Sequence, residues 1–291
     1  MSPGATLSDY LRAAGQYVLP KRLLSALMLR ATRIRLAAWK NWQIRWFVRR
    51  YGVDLDEARE PSPRAYTHFN AFFTRALRDG ARSVAGDERT LVCPADGIMS
   101  QRGRVRDGSM LQAKGRHYTV RELLGPELAA DSPFRDGHFA TVYLSPRHYH
   151  RVHMPLAGRL RAMSYLPGAL FSVNPATTRV VPRLFARNER VASLFDTALG
   201  PMALVLVGAV MVAGIETVWA GQVTPPRGRS PRTWHYDDES SRLARGAEMG
   251  RFNMGSTVVV LVPDVGLAWA DDVEPGREVR LGQALAALAP R

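Results

Sequence analysis

Arg251-Phe252-Asn253-Met254-Gly255-Ser256-Thr257-Val258-Val259-Val260 runs from a polar turn into a β-branched stretch of the kind that forms a buried strand. The serine stands directly after a residue without a Cβ, so its hydroxyl can approach the preceding carbonyl closely. That arrangement permits chemistry on the backbone itself. Gly-Ser-Thr alone is equally what a β-bulge or tight turn ahead of a strand requires, so its meaning depends on the rest of the chain.

Working outward, short β-rich runs at Leu91–Cys93, Thr141–Leu144, Leu204–Val212, Ile215–Trp219 and Thr257–Val262 are separated by Gly, Pro and Asp. Helical periodicity is concentrated near the start. From Pro20 to Arg50, Leu24, Leu27, Met28, Leu29, Ile34 and Leu36 lead to Trp39, Trp42 and Trp46 at i, i+3, i+7. Pro61-Ser62-Pro63 reads as a linker, Tyr66 to Leu77 as a helix, and Thr224 to Ser241 as a long surface loop. The fold class expected is α+β: a mainly β catalytic domain over 64–291, with N-terminal amphipathic helices within 1–60.

The chain has 291 residues and a formal charge of +14. Its cations are not evenly spread. Between Tyr10 and Val53 there is no Asp or Glu, while Arg12, Lys21, Arg22, Arg30, Arg33, Arg35, Lys40, Arg45, Arg49 and Arg50 fall there. A tryptophan stripe is ordinarily core, but indoles mixed with cations and no acids suit the headgroup level of an anionic membrane. No nucleic-acid module accompanies the basic stretch, so no nucleic-acid partner is expected. Met202 to Ile215, the longest apolar run, is too short and glycine-rich to span a bilayer and reads as buried strands. No secretory signal pattern is present. The single cysteine, Cys93, excludes an intrachain disulfide and fits a buried strand position.

Three other stretches hold groups able to do chemistry: Phe72-Phe73-Thr74-Arg75-Ala76-Leu77-Arg78-Asp79-Gly80-Ala81-Arg82, Pro94-Ala95-Asp96-Gly97 and Tyr149-His150-Arg151-Val152-His153-Met154-Pro155. Pro-Ala-Asp-Gly by itself is an Asx turn. Ser145-Pro146 reads as the cap and first position of a helical turn that would put His150 and His153 on one face. A His-x-x-His pair can also bind zinc, but no third ligand is identifiable, and no metal is expected. An unperturbed histidine titrates near neutrality, which makes His150 a candidate proton donor.

In this order, and with Pro167–Asn174, Leu184–Arg190 and Gly246–Gly250, these stretches resemble the phosphatidylserine decarboxylase family of membrane-associated, pyruvoyl-dependent enzymes, from about Leu19 to the C-terminal end. Met254 stands where the family often has leucine, and His148 where an acidic residue is common; neither removes a group the chemistry needs. The resemblance implies that Asp96, His153 and Ser256 form a self-maturation triad. The chain would be cut between Gly255 and Ser256 into a β chain, 1–255, and an α chain, 256–291, with Ser256 converted to a covalent pyruvoyl cofactor. That group would form a Schiff base with phosphatidylserine, and His150 would supply the proton that completes phosphatidylethanolamine. The implied partners are the substrate and an anionic membrane surface. The two chains would form a heterodimer, its further dimerisation left open, lying peripherally on the cytoplasmic side of the cell membrane. Two other readings compete: a Ser-His-Asp lipid hydrolase, which the missing Gly-x-Ser-x-Gly elbow disfavours, and a non-catalytic membrane-binding β module.

Overall fold

A computed structural model describes residues 5–130, 132–212, 214–226, 228, 230–238 and 241–288. Its centre is the strand Ser256–Pro263, whose side chains are buried on both faces up to Val262. Val258 and Val260 enter one core with Met99, Val142, Leu144 and Leu204. Val259 and Leu261 enter the opposite core with Phe139, Val205 and Val207. A strand sandwiched in this way has no polar face, which is why its sequence is a continuous apolar run.

Antiparallel neighbours flank that strand, Gly200–Val207 on one side and Gly137–Leu144 on the other. They belong to a nine-stranded sheet that continues outward through Arg190–Thr197, Gly158–Leu166 and Arg232–His235 in one direction, and through Gly97–Val105 and Glu278–Val279 in the other. Arg242–Leu243 also pairs with Gly158–Leu166. A four-stranded sheet joins Gly221–Gln222, Ile215–Thr217, Glu248–Phe252 and Arg151–His153, and a three-stranded one joins Thr90–Val92, Ala284–Leu288 and Leu267–Trp269. Gly97 is required where its strand meets Tyr143, because a Cβ there would lie 2.6 Å from the Tyr143 carbonyl oxygen. Cys93 is buried with its thiol on the Ala95 carbonyl, and burial pushes it up to about 12. The α+β, mainly β expectation holds.

Helices α1 (Leu7–Val18), α2 (Lys21–Ala31) and α3 (Ala37–Tyr51) precede the sheets. The continuous helical pattern from Pro20 is therefore broken between Ala31 and Ala37, and α3 ends on Gly52 in the left-handed conformation. α1 is tied to the body by the bidentate pair of Asp9 with Arg179. On α3, Ile44 and Phe47 face inward onto Phe69, Phe72 and Phe73. Trp42 and Trp46 are about half exposed, at 54% and 51%. Leu11, Leu23, Leu27 and Leu36 are exposed as well. Among the described residues, no helix is long and apolar enough to cross a membrane.

Several expectations are corrected. The helix expected over Tyr66–Leu77 shrinks to α4, Phe69–Phe73. His68 caps it by accepting the Ala71 amide, and beyond Thr74 the chain is drawn into extended pairing, Ala58 opposite Leu77. The strand expected over Leu204–Val212 stops at Val207, where Gly208 turns to donate to the Glu189 carbonyl. The Thr224–Ser241 loop contains the strand Arg232–His235; its residues 227, 229, 239 and 240 lie outside the described set.

Candidate active site

Ser256 begins the central strand opposite Leu144. It is fully buried, and its Oγ has no hydrogen-bond partner among the described residues. A buried hydroxyl left unpaired is a cost that a purely structural serine avoids. Gly255 is open: a Cβ there would meet nothing nearer than the Leu144 carbonyl oxygen at 3.6 Å. The chain before it is pinned. Met254 packs against the Phe47–Phe69–Phe72–Phe73 cluster. Asn253 donates its amide N–H to Gly214 at 2.8 Å and its side-chain Nδ2 to Glu216 at 2.7 Å, and its Oδ1 accepts from Asn70 at 3.0 Å. Burial would raise the Glu216 carboxyl, but the Asn253 amide and the Arg251 guanidinium hold it below its usual range. Asn70, Glu216 and Asn253 form a scaffold that no local motif announces.

His150 and His153 do not share a helical face. Residues 145–150 form an irregular turn and 151–153 a strand paired with Glu248–Phe252, so the Ser145-Pro146 cap is overridden by long-range pairing. The two imidazoles consequently have different surroundings. His150 is fully buried, stacks on Phe73 with ring centroids 4.0 Å apart, and among the described residues has a well-formed hydrogen bond at neither ring nitrogen, though the backbone at Ser145 and Pro146 lies close enough to favour its protonated form. Burial, then the charge of Arg75 and of His148, holds it well below the usual histidine range. The near-neutral value that an unperturbed histidine would have does not apply to this surrounding, which favours the neutral imidazole.

His153 places Nδ1 2.8 Å from the Gly246 carbonyl oxygen and Nε2 3.1 Å from the Tyr149 hydroxyl. A carbonyl can only accept, so Nδ1 carries the hydrogen and Nε2 is the basic nitrogen. Burial lowers the His153 pKa, while the Gly246 bond and the Glu248 charge work against that shift.

Asp96 is also buried, but its hydrogen bonds go elsewhere. Oδ1 accepts from Arg82 Nε at 3.0 Å and from the Leu281 amide at 2.9 Å, and Oδ2 accepts from Arg82 Nη2 at 2.6 Å. Arg82 in turn reaches Glu57 at 2.5 Å. Asp96 and His153 are brought near one another, the His153 amide bonding the Pro94 carbonyl at 2.8 Å, and the Asp96 charge favours the protonated form of His153. No hydrogen bond joins their side chains among the described residues. Tyr149 and Gly246 hold His153 and Arg82 holds Asp96, and all three lie inside motifs that the sequence singles out without giving them roles.

A buried, unpartnered serine hydroxyl at a glycine junction, on a mainly β scaffold that also holds two imidazoles of unlike surroundings, is an arrangement suited to chemistry on its own backbone; no hydrogen bond joins Ser256 to either imidazole among the described residues. The family model described as phosphatidylserine decarboxylase matches residues 69–287, and one described as PSD matches 11–52. The chain belongs to the phosphatidylserine decarboxylase family. It is 54% identical over 284 residues to the phosphatidylserine decarboxylase proenzyme of Pseudomonas aeruginosa (strain LESB58), covering 97% of this chain and 98% of the relative. The proenzyme of Nitrosococcus oceani is 52% identical over 283 residues, covering 97% and 92%. That of Methylococcus capsulatus is 52% identical over 281 residues, covering 97% and 98%.

Proposed function

We propose that this chain decarboxylates phosphatidylserine to phosphatidylethanolamine, using a pyruvoyl group that it makes from its own Ser256. The observation that carries this reading is the buried, unpartnered Ser256 hydroxyl beside the open Gly255. In the precursor, His153 takes the hydroxyl proton through Nε2, which requires the Tyr149 hydroxyl to yield its place. The Ser256 oxygen attacks the Gly255 carbonyl, and the amide becomes an ester with a free amine on residue 256. The proton that His153 took passes to that nitrogen, and β-elimination then moves the Cα proton of residue 256 to the imidazole so freed and breaks the Cβ–O bond, leaving a carboxylate on Gly255 and dehydroalanine at 256. Water replaces the nitrogen, which leaves as ammonia. Asp96 supports this base by its charge, from a position set by Arg82.

A pyruvoyl group at residue 256 supplies a ketone for the substrate's amine and an electron sink for the carbanion left by carbon dioxide. His150 fits the proton traffic around it. A neutral imidazole first accepts a proton from the substrate's ammonium, and the resulting imidazolium returns it to the substrate carbon once carbon dioxide has gone. The lowered pKa makes the imidazolium, once formed, a ready donor to that carbon.

Residues 1–60 serve as a membrane-associating region, and 64–291 as the catalytic domain. Exposed Trp42, Trp46, Leu23 and Leu27 sit among cations on α2 and α3, so this face suits an anionic bilayer on the cytoplasmic side of the cell membrane. The α and β chains remain together as a heterodimer.

The test is intact-protein mass spectrometry with carbon dioxide release. The expected result is two chains, 1–255 and 256–291, the smaller carrying a pyruvoyl in place of serine, while Ser256→Ala stays full length and inactive. An uncut wild-type chain that still releases carbon dioxide overturns the reading.

A further inference from the structure

The site contains a buried cation without an ion pair: the Asp96 and Glu57 carboxylates act on Arg75 only through space, and both are held by Arg82. Arg75 follows α4 and is 5% exposed, yet its guanidinium makes no hydrogen bond or ion pair among the described residues, and its Nε is buried without a partner. It lies over the face of Phe72, 5.4 Å from the ring centroid. Arg190, as deeply buried, shows what a structural arginine looks like here: its guanidinium donates to the carbonyls of Leu123, Asn188 and Glu122. A buried guanidinium without such acceptors carries a desolvation cost that an incoming anion would offset.

Arg75 lines a cavity of about 220 Å³ together with Tyr149, His148, Asp96, Arg82 and Arg147. The carboxylates around it are already engaged: Asp96 and Glu57 with Arg82, and Glu278 with Arg147; Asp54 accepts the Asp56 amide. The cavity is also tied to the reaction centre. Arg75 lies two residues beyond Phe73, on which His150 stacks, and its charge contributes to the depressed pKa of His150.

Resting on the decarboxylase reading, we infer that Arg75 is the anchor for the phosphodiester of the substrate headgroup. The substrate's other anion, its carboxylate, is the wrong partner. A guanidinium on it would stabilise the charge that decarboxylation removes and so raise the barrier. A phosphodiester keeps its charge throughout, so pairing it with Arg75 strengthens ground state and transition state alike and shows in KM. The planar fork also matches two phosphate oxygens at once.

The experiment compares wild type, Arg75→Gln and Arg75→Lys, each first checked for cutting by mass. Two substrates are presented in neutral detergent micelles: phosphatidylserine, and O-dodecylserine, which has the amine and carboxylate but no phosphate. In Arg75→Gln, kcat/KM for phosphatidylserine is expected to fall about 10- to 100-fold, the worth of a charged hydrogen-bond pair, and to do so through KM. For O-dodecylserine it falls less than about threefold. Arg75→Lys, keeping the charge without the fork, lies between. Inorganic phosphate separates the sources. Competitive inhibition of wild type that is lost in Arg75→Gln means the site takes the free anion too; no inhibition, with the KM effect intact, means it takes phosphate only within the lipid headgroup. Equal losses on both substrates, no loss on either, or failure of both variants to cut overturns the proposal, the last by assigning Arg75 to maturation or folding. Cut wild type that releases no carbon dioxide from phosphatidylserine defeats the underlying reading and this one with it.

Discussion

The Gly246 carbonyl oxygen lies 2.8 Å from Nδ1 of His153, and this backbone group, rather than a carboxylate, sets which nitrogen of the imidazole is basic. Asp96 meanwhile spends its oxygens on Arg82 and the Leu281 amide. If His153 is the base as proposed, the orienting work that a serine-hydrolase triad gives to one aspartate would be divided between a carbonyl that fixes the tautomer and an anchored charge nearby.

His153→Ala and Asp96→Asn are expected to accumulate uncut precursor, whereas His150→Ala still cuts but turns over about 10²–10⁴-fold more slowly, the usual cost of losing one acid or base. A denaturing gel reports the first step and carbon dioxide release the second. Maturation of His153→Ala at the wild-type rate removes it as the base.

Asn253→Ala removes the amide that Glu216 and Asn70 both use, leaving two buried polar groups short of a partner. The expected cost is about 1–3 kcal/mol in denaturant unfolding of an uncut Ser256→Ala background, together with slower cutting in the otherwise wild-type chain because the residues before Gly255 lose their tether. Unchanged stability and rate would show that the scaffold is dispensable.

Stability should fall on mild acidification. Burial is the leading cause of the lowered pKa of His138, His148, His150 and His153. Each is therefore neutral when folded but protonated when unfolded below about 6.5. The unfolded state binds more protons in that window, so the stability is present above it and is lost as pH drops through it. Glu189, raised by burial, acts in the opposite direction nearer its own range. Thermal unfolding between pH 7 and 5.5 checks the sign, and His150→Gln should flatten the slope, each such histidine contributing at most about 1.4 kcal/mol per pH unit.

Trp42→Ala with Trp46→Ala should weaken sedimentation with anionic vesicles while leaving the unfolding temperature nearly unchanged, because both rings are about half exposed and the core face of α3 is Ile44 and Phe47. Reversing Arg45 and Arg49 should add about 1 kcal/mol of loss per charge, and more salt should mimic it. Binding that ignores lipid charge argues against an electrostatic surface role.

What the sequence conveyed well was whatever is written in neighbouring residues. Val258, Val259 and Val260 announce a strand buried on both faces, and the break in acids from Tyr10 to Val53 marks the basic helices. What it hid depends on distant pairing. Ser145-Pro146 looks like a helix start, but Arg151–His153 is claimed by a strand almost a hundred residues further on. Pro-Ala-Asp-Gly gives no sign that Asp96 will be held by the amide of Leu281, nor does Thr74-Arg75-Ala76 reveal that one arginine will be buried without an acceptor. The tryptophan stripe was ambiguous for a related reason: its spacing defines a face, but only the packing of Phe47 on Phe69, Phe72 and Phe73 shows that the other face is the one turned inward.

The strand that starts at Ser256 has a neighbour on each side, and the residues after it return to pair at Thr90–Val92 and at Gly97–Val105. A peptide of 36 residues released at that bond would be threaded through the middle of the molecule, with no route out except through loss of the whole sheet. On the proposed reading the unbroken chain delivers the small piece to its place, and the order of events follows: assembly first, scission second. Supplying the two segments separately would ask a short apolar strand to insert between two strands that each need it as a neighbour, so a nick at that bond would be something this architecture tolerates once made rather than something it starts from.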